Sequence, residues 1–168
     1  MQRRRAVDLP LVRSPIAAGT ELLLDTCVYI DVLQARTPTN VDELLEARVL
    51  NHSTVCLAEL THLFGRLKPN HAGTRQVLRE VRRTIEDIPA HRLSAPSTMA
   101  MGEAGMLAGL VARLTRVDRE EGTSLLNDAS LYLQALERGR ILLTRNTRDF
   151  DFFDQLLPAG RILFYEHA

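Results

Sequence analysis

Tryptophan is absent, aromatic residues make up 5% of the chain, and Lys68 is the one lysine among 21 basic residues. So few rings exclude a nucleic-acid platform built on base stacking. The two cysteines, Cys27 and Cys56, match no metal-ligand or redox spacing and read as free thiols in a reducing cytoplasm. Charge surplus is missing too: 21 Lys+Arg stand against 21 Asp+Glu. Coating of a polyanion by an overall basic chain is thereby excluded, and any such partner has to meet a local patch. Long hydrophobic runs do not occur. The most apolar stretch, 99–114, carries Glu103 and Arg113 and falls short of the ~18 uninterrupted apolar residues of a membrane span. Gly105 and Gly109 within it form a G-x-x-x-G pair, read here as close packing of a soluble helix. At the N-terminus Asp8, Pro10, Arg13 and Pro15 break any signal-type apolar core. Glycine-rich phosphate loops of the G-x-x-x-x-G-K-S/T or G-x-G-x-x-G kind are absent, which disfavours a nucleoside triphosphate user.

What is present is a 168-residue chain, 45% hydrophobic and 25% charged, enough for one domain with its own core. Residues 1–20 read as an irregular, flexible arm whose Arg3, Arg4 and Arg5 are solvated; residues 21–168 read as the domain. Apolar runs predict strands over 21–25, 52–56, 92–95, 140–144 and 161–165. Helical periodicity and stop signals predict helices over 26–35, 41–49, 57–67, 71–88, 96–117, 125–138 and 147–157. Thr39 or Asn40 is the expected cap of the second helix. This alternation implies an α/β fold with a central parallel sheet of four to five strands and helices on both faces. In such sheets ligands collect beyond the carboxyl ends of the strands.

That rule draws attention to four acids. Asp25 ends the first strand, Glu59 falls in the first turn of the helix after the second, Asp128 near the start of the helix 125–138, and Asp149 just after the strand 140–144. Helix dipoles and capping alone would favour an acid in a first turn by ~0.3–1 kcal/mol. Asp25, placed directly after Leu22-Leu23-Leu24, needs a partner, because a buried unpaired carboxylate is costly. If all four converge, each pair at ~4 Å and an effective dielectric of ~20 costs ~4 kcal/mol. A divalent cation is the simplest counter-charge, and all-oxygen ligands favour Mg²⁺ or Mn²⁺ over zinc. Asn146 adds a neutral oxygen. His62 lacks a second histidine at H-E-x-x-H spacing and reads as a surface or packing residue. A carboxylate-held cation open to solvent suits phosphoryl chemistry. Arg145 and Arg148 flank the acids and are candidate phosphate contacts. The helical stripe Arg75, Arg79, Arg82 and Arg83 is either an RNA-backbone track or a solvated face paired with nearby acids, and the second reading is preferred.

These motifs resemble a known family. Leu24-Asp25-Thr26-Cys27-Val28-Tyr29-Ile30-Asp31, Ala58-Glu59-Leu60, Asn127-Asp128-Ala129-Ser130-Leu131-Tyr132-Leu133-Gln134-Ala135 and Leu143-Thr144-Arg145-Asn146-Thr147-Arg148-Asp149-Phe150 are similar, in order and spacing, to the four motifs of PIN domains. The single-domain layout resembles the VapC-type ribonuclease toxins of type II toxin–antitoxin systems. The resemblance implies a three-layer PIN-like fold and a Mg²⁺-dependent endoribonuclease. Asp25, Glu59, Asp128 and Asp149 would be its catalytic and metal-binding residues, with Thr26, Thr144 and Asn146 in support. It further implies an RNA substrate, a cognate antitoxin, a homodimer and a cytoplasmic location. Cys27 stands where the family commonly has Asn. Two other readings remain open: a PIN-like module that binds RNA or protein without catalysis, and a Mg²⁺-dependent receiver-type phosphoacceptor. The second would need a lysine after a late strand, and none is there.

Overall fold

The structure is a computed structural model, describing residues 1–13, 18–68, 70–115, 122–158 and 161–167. Its centre is β1 (Leu22–Leu24), three leucines all buried. Successive side chains on a strand point to opposite faces, so burial of all three requires cover on both sides of the sheet. The chain supplies it by alternation: α1 (Thr26–Leu33), α2 (Thr39–Ala47), β2 (Leu50–Ser53), α3 (Thr54–Arg66), α4 (Thr74–Glu86), β3 (Leu93–Ser94), α5 (Thr98–Thr115), α6 (Gly122–Glu137), β4 (Ile141–Thr144), α7 (Thr147–Leu156) and β5 (Ile162–Phe164). The strands form one parallel sheet in the order β3-β2-β1-β4-β5, with Leu22 opposite Leu50 on one side and Ile141 on the other. Helices α1, α3 and α4 pack together, and so do α5, α6 and α7. The α/β fold with a parallel sheet of four to five strands is therefore observed, with five. Among the described residues no helix is long and apolar enough to cross a membrane.

Several boundaries differ from expectation, each for a local reason. The predicted strand 52–56 ends at Ser53; Thr54, Val55 and Cys56 open α3 instead. The Ser53 hydroxyl accepts from the Val55 amide at 3.1 Å, and this cap outweighs the β preference of Thr and Val. Neither Thr39 nor Asn40 caps α2: Pro38 holds the cap position without a side-chain bond, and the Asn40 amide donates to the Val12 carbonyl at 3.0 Å. Helix α4 starts only after Gly73, whose φ of +88° is the left-handed conformation glycine tolerates. Helix α6 starts at Gly122, three residues before the predicted start at 125. The predicted end of α5 at 116–117 and Pro69 fall outside the described residues. Gly105 and Gly109 are not close-packed: a methyl group on either would meet nothing within 4 Å. The buried face of α5 is Ala100, Ala104, Leu107, Ala108 and Val111, and the glycines lie on the other side. Arg75, Arg79, Arg82 and Arg83 are exposed, with Arg82 on Glu86 at 2.7 Å and Arg83 3.9 Å from Asp87, as a solvated face requires.

The expectation of a solvated N-terminal arm fails at Arg4, Leu9 and Val12, while residues 14–17 of that arm lie outside the described residues. Leu9 and Val12 are buried in the core, and Leu11 bridges in parallel to Phe164 of β5. Val12 donates to the Phe164 carbonyl at 2.8 Å, and Phe164 donates to that of Pro10 at 2.9 Å. The arm thereby pairs the open edge of the sheet, which would otherwise present unpaired backbone groups. Arg4 fastens it: its Nε lies 2.6 Å from Asp151 Oδ1, its Nη2 2.6 Å from Asp154 Oδ2, and its backbone amide donates to Asp151 Oδ2 at 2.8 Å. Both aspartates are buried, so the arm is the counter-charge that α7 needs. Arg3 lies over the Phe152 ring and Arg5 pairs with Asp8, so none of the three is free.

Arg4→Ala leaves two buried carboxylates uncompensated. It should cost roughly 2–3 kcal/mol in urea unfolding, less than the ~3–5 of a fully buried pair because the Arg4 side chain is 30% exposed. Arg5→Ala, which breaks an exposed pair, should stay within ~0.5 kcal/mol of the parent. Equal midpoints for the two variants would show that the arm contributes nothing through Arg4.

Candidate active site

The four acids arrive from four elements at the carboxyl edge of the sheet. Asp25 caps α1 directly after β1 and is 5% exposed. Its Oδ1 accepts from the Thr26 amide at 2.6 Å; its Oδ2 accepts from the Thr144 hydroxyl at 2.6 Å and the Cys27 thiol at 3.0 Å. Glu59 is held at both oxygens, Oε2 by the Thr26 hydroxyl and Oε1 by the Asn127 amide at 2.8 Å. Asp128, 8% exposed on α6, accepts from Asn146 Nδ2 at 3.0 Å, and the same nitrogen reaches Asp149 Oδ2 at 3.2 Å. Asn146 also caps α7, its Oδ1 accepting from the Asp149 amide at 3.2 Å. Glu59 and Asp128 both fall beyond the first turns of their helices, so an end-of-helix dipole does not account for them.

The supporting residues expected from sequence, Thr26, Thr144 and Asn146, each bond directly to an acid. Sequence reasoning missed three others, Asn127, Asp31 and Tyr165. Asn127, next to Asp128, anchors Glu59, and no pattern marks it apart from that adjacency. Asp31, fully buried on α1, accepts from Arg145 Nε at 2.8 Å and from the Tyr165 hydroxyl at 2.9 Å. Arg145 is thus engaged with Asp31, while Arg148 stays near the acids, 3.8 Å from Asp149 Oδ1 with half its side chain exposed. Cys27, placed where an Asn was expected, still makes a polar contact to Asp25.

The charge on these groups is poorly compensated. Burial, opposed by the Cys27 and Thr144 hydrogen bonds, pushes the Asp25 carboxyl above its usual range, and Glu59 adds repulsion. Asp128 is pushed up to about 9, first by burial and then by repulsion from Asp25, Asp149 and Glu59, against one amide donor. Four carboxylates with no soft ligand in contact save a protonated thiol suit a hard divalent cation. Among the described residues, no three His, Cys, Asp or Glu side chains already stand in a metal-holding arrangement. The carboxylates face their hydrogen-bond donors, and closing on a cation means exchanging some of those donors for it. A separate cavity of about 550 Å³, lined mostly by apolar side chains including Val28, Leu33, Leu45 and Ile88, lies between α1, α2 and α4.

No family model matches the chain, and no curated protein does. Solved structures do. A chain of the DNA-bound VapBC from Salmonella typhimurium matches with a TM-score of 0.58 at 20% identity, over 88% of this chain and 98% of that one. This is a PIN-like fold. VapBC2 from Rickettsia felis, bound to a fragment of its promoter DNA, matches at 0.57 and 15% identity over 86% and 97%. FitAcB from Neisseria gonorrhoeae matches at 0.58 and 20% identity over 85% and 96%. What this PIN-like chain shares with them at such identities is the fold.

Asp128 supplies a test independent of any activity. In the metal-free folded chain it keeps its proton to about pH 9, whereas an ordinary aspartate releases it near 3.8. The folded state therefore binds more protons across that window, and stability falls as pH rises from about 5 to 9. The melting temperature in EDTA should drop over this range, and added Mn²⁺ should raise it more at pH 8 than at pH 5.5. Asp128→Asn should flatten both trends. A pH-independent Mn²⁺ effect, or an unchanged slope in the variant, would contradict this account of the cluster.

Proposed function

We propose that the chain is a metal-dependent endoribonuclease and the toxin of a type II toxin–antitoxin pair. The observation that carries the reading is the gathering of Asp25, Glu59, Asp128 and Asp149 at one sheet edge, with Asp128 under repulsion from the other three. Mg²⁺ or Mn²⁺ is the cation these oxygens would hold. Bound there, it supplies Lewis-acid stabilisation of phosphoryl charge and eases deprotonation of the attacking water. The chain's own residues arrange the rest. Thr144 and Cys27 orient Asp25. Thr26 and Asn127 fix Glu59 from both sides. Asn146 bridges Asp128 and Asp149 through one nitrogen, which sets their separation. Arg145 and Arg148 flank the acids and are the candidates for a backbone phosphate of the RNA.

The toxin role draws support from the neighbours in fold, which are VapBC and FitAB toxin–antitoxin complexes. An antitoxin partner fits the apolar cavity between α1, α2 and α4, where a partner's apolar side chains would find cover. A second copy of the chain and a cytoplasmic location belong to the same reading. A module that only binds RNA has no use for four mutually repelling acids. A receiver-type phosphoacceptor needs a lysine near β4 or β5, and the chain's one lysine is Lys68.

With Mn²⁺ or Mg²⁺ the purified chain should cleave a structured RNA, and EDTA should stop it. Asp25→Ala and Asp128→Asn should each lower cleavage by at least about 100-fold, beyond what an outer-shell change costs at a metal site. Expression of the parent chain alone should slow bacterial growth, and Asp25→Ala should not. Intact RNA with parent and variants alike, or normal growth at good soluble yield, would count against the proposal.

A further inference from the structure

Asp31 touches none of the four acids, yet it is 1% exposed and surrounded by polar partners. On Oδ2 it takes Arg145 Nε at 2.8 Å and the Tyr165 hydroxyl at 2.9 Å; His167 Nδ1 stands 3.9 Å from Oδ1. Those partners come from the ends of β4 and β5, while Asp31 belongs to α1. Arg145 sits between two residues that hold the acids. Before it, Thr144 donates to Asp25; after it, Asn146 spans Asp128 and Asp149. Its own amide donates to Cys27 Sγ at 3.2 Å, and that sulfur donates to Asp25. The Asn146 amide folds back onto Thr144 Oγ1 at 2.9 Å, so the three residues form one stiff unit.

We propose that Asp31 and Tyr165 are positioning residues of the acid cluster: by fixing the Arg145 side chain they fix the segment 144–146, and with it the carboxylates of Asp25, Asp128 and Asp149. A lock serving only to join α1 to β4 and β5 could be apolar, since a buried ion pair is often no more stabilising than well-packed hydrophobic residues. The guanidinium instead defines one orientation of the segment. This inference rests on the acid cluster being a cation site.

The test is a calorimetric titration of the full chain with Mn²⁺, alongside its melting temperature. The parent should bind Mn²⁺. Asp31→Asn should weaken binding by about 10-fold or more, in the range seen when outer-shell partners are removed, and Tyr165→Phe should weaken it by a smaller factor. The double variant Asp31→Leu/Arg145→Met removes both charges and should recover stability while keeping the weakened binding. A recovered melting temperature with poor Mn²⁺ affinity supports positioning, whether or not Asp31→Asn folds. Parent-level affinity in the folded double variant would overturn it and leave the cation site standing. A parent chain that binds no Mn²⁺ would overturn both.

Discussion

Everything at the carboxyl edge of this sheet follows from placing Asp25 at the end of a strand buried on both faces. Leu22 to Leu24 must be covered to be stable, and the cover brings low-dielectric surroundings to the next residue. A carboxylate there cannot simply be solvated. It is met by a backbone amide, a hydroxyl and a thiol. None of these carries a full positive charge, and three further acids are brought alongside. The fold therefore spends stability to hold like charges close together, a pattern far more common at functional sites than elsewhere.

The opposite edge of the sheet has the opposite sign. Arg92, Arg140 and Arg161 each directly precede a strand, Arg48 lies two residues before β2, and Glu21 precedes the central one. Glu21 lies 3.4 Å from Arg92 and 3.6 Å from Arg140, and the Arg161 guanidinium donates to the Gly139 carbonyl. In an alternating α/β chain, helices finish where strands begin, so arginines there face the negative ends of helix dipoles; Arg48 occupies the C-cap of α2. Net charge is zero, and a group of the arginines is placed where the strands begin. The acid pocket is thus a local feature of a neutral molecule, and the arginines at the far end of the sheet are too distant and too screened to neutralise it.

How much of this can be read from sequence depends on the range of the interactions. The run Leu22-Leu23-Leu24-Asp25 announces a buried strand and a strand-end acid, and both are there. The order of strands and helices yields the parallel sheet and the edge where the acids meet. Short-range competition defeats the pattern at Thr54-Val55-Cys56, where one serine cap turns apparent strand into helix. Long-range partners defeat it at the arm. Leu9, Leu11 and Val12 carry no periodicity, and the aspartates that hold Arg4 lie about 150 positions away. Asp31 and Asn127 are equally silent, because their roles exist only once β4, β5 and α3 are in place.

The scarcity of lysine takes on meaning in the same light. Arg4 uses Nε for Asp151 and Nη2 for Asp154, so one planar group separates and neutralises two buried carboxylates on α7. An ammonium, a point charge on a flexible stem, lacks that fixed fork. Arg145 uses Nε for Asp31 while its backbone amide holds Cys27, tying side chain and main chain to one orientation. Helix α7, which carries Asp149 in its first turn, is therefore secured twice by arginine: ahead of its N-terminus through Arg145 and along its length through Arg4. The fourth acid thus rides on a helix that Arg4 anchors along its length, while Asn146 at the cap of that helix reaches the Asp149 carboxylate itself.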